Sequence, residues 1–140
     1  MISLRHHKPA HGPGSRCRVD PEFEIGFFEG VVRRDPKSIE ALQILGDAYT
    51  KTGHWKEGLA IDRKLARLCP GDPTVFYNLA CSYSLLAKVD LALAALEKAM
   101  RLGYDDARWL AKDPDLNNLR QDQRFVRLCA GMRKKPRRRR

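Results

Sequence analysis

The 140-residue sequence has no long apolar run: its longest, Leu91 to Leu96, is far too short to cross a bilayer as a helix. Its first twenty residues mix His6, His7, His11, Lys8 and Arg5 with Pro9, Gly12, Pro13 and Gly14 and lack the apolar stretch of a secretory signal. The reading is therefore against export by that route, and the expected location is the cytoplasm. The four cysteines, Cys17, Cys69, Cys81 and Cys129, lie far apart with no Cys-x-x-Cys pair, which argues against both a disulfide framework and a zinc ribbon. Gly-x-Gly-x-x-Gly, a phosphate-binding loop, His-Glu-x-x-His and a nucleophile elbow are all absent, so no catalytic residue, cofactor or metal site is assigned and the chain reads as a non-enzyme.

Acidic residues are missing from both ends. Residues 1 to 18 carry Arg5, Lys8, Arg16 and Arg18, and the last ten residues carry seven bases. The formal charge of +10 therefore belongs to the tails, because residues 19 to 130 hold 16 bases against 17 acids. The tail Arg133, Lys134, Lys135, Arg137, Arg138, Arg139, Arg140 has no aromatic to stack on a base. Concentrated charge of this kind suits nonspecific contact with a polyanion such as nucleic acid or an anionic surface, with release of counterions. The His6-His7-His11 group with Cys17 contains zinc-type donors, but its irregular spacing in a Pro/Gly-rich segment reads as solvated tail.

The body of the chain repeats itself. Leu42, Leu45, Gly46 and Tyr49 reappear as Phe76, Leu79, Ala80 and Tyr83, an offset of 34, and Leu59, Leu65 and Leu68 recur as Leu93, Ala99 and Leu102. Within each unit the anchors are three or four apart, which predicts two amphipathic helices joined at Thr52-Gly53-His54. Asp20-Pro21, Asp35-Pro36, Asp72-Pro73 and Asp113-Pro114 punctuate the helix joints, since proline fits a first helical turn and the preceding Asp caps its amides. Upstream, Phe23, Phe27, Phe28, Val31 and Val32 form an apolar stripe. The Gly26-Phe27-Phe28-Glu29-Gly30 spelling there, flanked by glutamates, fits a soluble helix contact rather than a membrane one.

On these anchors the chain resembles the tetratricopeptide-repeat family: Leu42, Leu45, Gly46, Tyr49, Gly53, Trp55, Gly58 and Pro70 in one unit, Phe76, Leu79, Ala80, Tyr83, Ala92, Leu96 and Ala99 in the next. Asp62, Gly58 and Tyr104 depart from the aromatic, alanine and closing proline usual in the family. The resemblance implies an all-α array of helical hairpins, an α-solenoid with a right-handed superhelix. The expected organisation is a basic tail over 1–18, a half repeat over 19–36, full repeats over 39–72 and 73–106, a degenerate capping repeat over 107–131, and a basic tail over 132–140.

The resemblance also implies a protein-binding scaffold whose concave face, formed by the first helix of each pair, holds a peptide or protein segment. Gln43, Asp47, Tyr77, Asn78, Cys81, Arg108 and Lys112 are the candidate contacts, with Tyr77 as the aromatic anchor. In the carboxylate clamp of some family members, Asn78, Arg108 and Lys112 would match, but Gln43 and Asp47 fill the first position and Asp47 would repel a carboxylate. The alternative function is a nucleic-acid-associated protein that binds nonspecifically through its basic tails.

Overall fold

The computed structural model describes residues 19–134, with side chains to residue 132. Among the described residues seven α-helices and one 3-10 segment follow one another: α1 (Pro21–Arg34), α2 (Ile39–Lys51), α3 (Trp55–Leu68), α4 (Pro73–Leu85), α5 (Val89–Arg101), α6 (Ala107–Lys112), the 3-10 segment Pro114–Leu119, and α7 (Gln123–Lys134). No strand occurs among the described residues, and no helix among them is long and apolar enough to cross a membrane.

The period set by the anchors governs every helix start. First helices begin at residues 39, 73 and 107 and second helices at 21, 55, 89 and 123, each 34 residues after the last. Capping chemistry recurs on the same beat. Ser38 accepts from Ala41 N at 3.3 Å, Asp72 from Thr74 N at 2.9 Å and Asp106 from Trp109 N at 3.0 Å, each supplying an oxygen to an amide that has no partner inside the helix. The α2–α3 turn closes when His54 N donates to Tyr49 O at 2.8 Å, with Gly53 at a φ of 82°. One repeat later Lys88 N donates to Tyr83 O at 2.9 Å, but the left-handed residue is Ala87, with a φ of 58°.

Packing is sequential: α1 on α2, α2 on α3, α3 on α4 and α4 on α5. Ile25, Leu45, Ala48 and Tyr49 bury the first interface, Leu42, Leu65 and Val75 the next, and Phe76, Leu79, Leu93, Leu96 and Tyr104 begin a larger cluster that continues into Leu110, Leu116, Leu119 and Phe125. Gly58 lets α3 lie close on α2, since a Cβ there would meet Thr50 Oγ1 at 3.2 Å.

The last unit departs from the others at one dipeptide. Asp113 stands where Leu45 and Leu79 stand in the earlier repeats, and Pro114 where Gly46 and Ala80 stand. Proline lacks an amide and disfavours helical backbone in the residue before it, so Asp113 is extended (φ −65°, ψ 115°) and the first helix stops at Lys112. Residues 114–119 then wind as a tighter 3-10 turn, which re-phases the chain that follows. Although α7 starts in register, it buries Phe125, whose repeat equivalent Leu91 is exposed, and exposes Val126, whose equivalent Ala92 is buried.

Candidate partner-binding face

The first helices α2, α4 and α6 carry the expected contact residues, and the structure sorts these into open and sealed. On α6, Arg108 and Lys112 are exposed, and on α2, Gln43 is partly open beside the exposed Glu40. Asp47 is buried, with Oδ2 held 2.7 Å from Lys51 Nζ one turn on, so its charge is already partnered within α2.

The centre of the expected face is closed. Tyr77 and Cys81 have no exposed surface, Asn78 is buried, and Tyr77 is therefore not an exposed anchor. Two features of the chain itself cover it. Tyr104, at the position where Pro70 closes the preceding repeat, stacks on the Tyr77 ring with centroids 4.2 Å apart and planes 10° from parallel. The 3-10 segment packs on α4, where Asn118 Nδ2 donates to Ser84 O at 2.7 Å.

Beneath this cover, Tyr77 donates its hydroxyl to Asp113 Oδ2 at 2.7 Å, and Cys81 Sγ lies 3.7 Å from the same oxygen. Asp113 Oδ1 accepts from Asp115 N at 2.9 Å. Arg120 gathers the carbonyls released by the helix break, donating from Nη2 to Asp113 O at 2.6 Å and from Nη1 to Leu110 O at 3.5 Å. Burial, followed by the negative groups nearby, pushes the Tyr77 hydroxyl pKa far up, and burial does the same to Tyr104, so both hydroxyls stay neutral across the ordinary pH range and Tyr77 remains a donor to Asp113. Cys81, Asp113 and Asp115 bring ligand-type atoms within 4.8 Å of one another. Asp113 spends both oxygens on internal donors, so the trio serves to lock the 3-10 segment onto α4.

No family model matches the chain. Curated proteins similar to it include a chloroplastic protein of Arabidopsis thaliana, 36% identical over 126 residues that cover 87% of this chain and 36% of that protein. A peroxisomal targeting signal receptor of Komagataella phaffii is 30% identical over 135 residues, covering 81% of this chain and 23% of the receptor. A TPR repeat-containing protein of Picosynechococcus is 38% identical over 68 residues, 49% of this chain and 18% of that protein. This last likeness carries the repeat by name, and helix starts recur here every 34 residues across the described residues. The chain is a tetratricopeptide-repeat protein. It spans well under half the length of each of these relatives.

Two departures from the usual repeat have structural partners. Asp62, buried on α3 in place of an aromatic, accepts a hydrogen bond from the Ser82 hydroxyl on α4, so a polar pair replaces an apolar contact between adjacent repeats. Tyr104 takes the place of the closing proline and becomes the lid on Tyr77. The sealing of α4 was hidden in the sequence because it depends on residues 27 and 36 positions away; an aromatic after Gly103 and an Asp at a leucine register position are the signals that mark it. Of the basic tail, Arg133 and Lys134 belong to the last turn of the α7 backbone, and Lys135, Arg137, Arg138, Arg139 and Arg140 lie outside the described residues, as do His6, His7, His11 and Cys17.

Proposed function

We propose that this tetratricopeptide-repeat chain is a protein-binding scaffold that holds a short peptide or protein segment along the part of its inner face that its own C-terminal unit leaves open. The observation that carries this reading is the charge order on the open and half-buried first-helix positions. Exposed Glu40 and half-buried Gln43 on α2, then half-buried Thr74 on α4, then exposed Arg108 and Lys112 on α6 run from acidic through neutral to basic, with Lys51 at the end of α2 paired to Asp47. A segment lying along this face with basic groups toward α2 and acidic groups toward α6 would meet complementary charge at both ends, which fixes its direction and speeds encounter. The name of the Komagataella relative, a receptor for a targeting signal, describes that protein and is in keeping with segment recognition here.

The sealing of Tyr77 shifts the expected energetics. With the aromatic anchor withdrawn into the core, affinity must come from Ile44, Thr74 and the aliphatic stems of Lys112 and Arg108, and a small surface of this kind suits a transient partner. The test compares recovery of a partner by the wild-type chain, by Glu40→Lys/Arg108→Glu, and by the chain lacking residues 135–140, at low and moderate salt. Both substituted groups are exposed, so the fold is expected to survive while recovery fails. Removal of the tail should weaken capture mildly, because a charged tail mainly steers encounter. If tail removal abolishes binding and the double variant behaves as wild type, the working surface is the tail and the segment-binding reading is wrong.

A further inference from the structure

The face of α1 turned away from the array has no neighbour among the described residues, yet it is apolar. Phe23 is 65% exposed, Phe27 54% and the preceding Val19 55%, whereas the opposite side of the same helix buries Ile25 with Phe28 and Val32 against α2. Such aromatic exposure on adjoining turns is unusual for a surface that meets only water. The two rings stack on one another with centroids 6.3 Å apart, forming a continuous patch. Between and beyond them the helix presents Gly26, around which a Cβ would find open space, and Gly30, where only the mobile ends of Arg33 and Arg34 come near.

Charge along the same helix is polarised. Glu22 and Glu24 occupy the first turn, and Arg33 and Arg34 the last. A second α1 laid antiparallel across this face brings each acidic end onto a basic end, while a parallel pair sets like against like. An antiparallel register centred between Gly26 and Phe27, one residue before the helix midpoint, places Phe23 opposite Gly30 of the partner subunit and Phe27 opposite Gly26 of the partner subunit, and sets the first-turn acids one turn short of Arg33 and Arg34 of the partner subunit, whose guanidinium ends reach back to the Cβ position of Gly30. Each ring then fills the space left by an absent side chain, twice over by symmetry, which is the self-complementarity a twofold interface requires.

We propose that the chain forms a twofold homodimer through an antiparallel pair of α1 helices, with Phe23 seated on Gly30, Phe27 on Gly26, and the guanidinium ends of Arg33 and Arg34, which lie over Gly30, reaching Glu22 and Glu24 of the partner subunit. Dimerisation leaves the first-helix positions Glu40, Gln43, Thr74, Arg108 and Lys112 uncovered, so the dimer offers two copies of the inner face. It is independent of what that face binds.

The test is sedimentation velocity of the full chain across micromolar to hundreds of micromolar concentration, with circular dichroism as the check on folding. The expected result is a reversible approach to twice the monomer mass; a monomer throughout, whether because the face stays bare or because residues 1–18 cover it, overturns the proposal. Gly26→Leu, whose Cβ has open space around it in the monomer and which favours helix, is expected to raise the dissociation constant at least tenfold with helical content unchanged. An undiminished dimer of Gly26→Leu refutes the α1 contact. The charge variants Glu22→Arg/Glu24→Arg and Arg33→Glu/Arg34→Glu should each be weakened alone and should form a heterodimer when mixed. Two weakened variants that fail to recover on mixing refute the antiparallel pairing.

Discussion

The lock between α4 and the 3-10 segment makes a quantitative expectation about Tyr77. Replacing Tyr77 by Phe keeps the ring that stacks on Tyr104 and removes only the hydroxyl that donates to Asp113 Oδ2 at 2.7 Å. That oxygen keeps Cys81 Sγ at 3.7 Å, a weak donor, so the buried carboxylate loses its main partner on this side. A hydrogen bond to a charged buried acceptor is worth about 1.5 to 3 kcal/mol. For an array of this size that corresponds to a fall in Tm of roughly 5 to 10 °C. Asp113→Leu restores the residue type of Leu45 and Leu79 but strands the Tyr77 hydroxyl and removes the cap on Asp115 N, and should cost a similar amount. In the double variant the stranded hydroxyl disappears, so only the cap loss remains, and the cycle should show a coupling of about 1 to 3 kcal/mol. Denaturant melts of the four proteins measure the coupling, and amide exchange over residues 114–119 shows whether the 3-10 segment is what loosens. Strictly additive losses, with unchanged exchange over that segment, would refute the lock.

Three further outcomes are expected. Ala87→Gly relieves a left-handed backbone at the position that Gly53 fills one repeat earlier and should stabilise the chain by up to about 1 kcal/mol, read as a higher denaturant midpoint; a lower midpoint contradicts the strain. The raised pKa values of Tyr77 and Tyr104 mean that their stabilising contribution is complete below the ordinary tyrosine value and is lost as pH rises beyond it. In a Tyr83→Phe chain the remaining tyrosines, Tyr49, Tyr77 and Tyr104, all have raised values, so tyrosinate absorbance should rise only together with loss of helix above about pH 10, and ionisation in the intact fold would count against their burial. Asp122, held down to about 2 by hydrogen bonds from Arg124, contributes above the ordinary carboxylate value and loses that contribution as pH falls through about 2. Amides at the start of α7 should stay protected at pH 4 and exchange freely near pH 2; protection lost already at pH 4 contradicts the Asp122–Arg124 contact.

The repeat was legible because it rests on local chemistry. Anchors at helical spacing, the caps Asp20, Asp72 and Asp113 and Gly53 each act within a few residues, so the all-α hairpin array follows from reading along the chain; at Asp35-Pro36 the expected cap differs, since Asp35 closes α1 and Ser38 caps α2. Ala87 carries the same turn with no glycine to announce it, because the flanking helices of the repeat impose the conformation. The candidate face was only partly legible. Which first-helix positions face inward follows from the repeat, but whether they are open depends on what folds over them. Tyr77 reads as an exposed aromatic until Tyr104 and the Asp113–Pro114 break are placed, and its burial is a tertiary fact. The exposed face of α1 shows the converse. Phe23 and Phe27 belong to the same apolar stripe as Phe28 and Val32 in the sequence, and only the packing of α2 divides that stripe into a buried side and a bare one.

The central claim is that the open inner face, rather than the outer surface, meets a protein partner. A photoreactive side chain placed at Gln43 on α2 and, in a separate protein, at the exposed Ala60 on α3 tests it by cross-linking in a cell extract and identification of the adducts by mass spectrometry. The account predicts a discrete adduct from Gln43 that disappears when Glu40→Lys/Arg108→Glu is introduced and that Ala60 does not form. The same adduct from both positions, or one from Gln43 that survives the charge reversal, would contradict it.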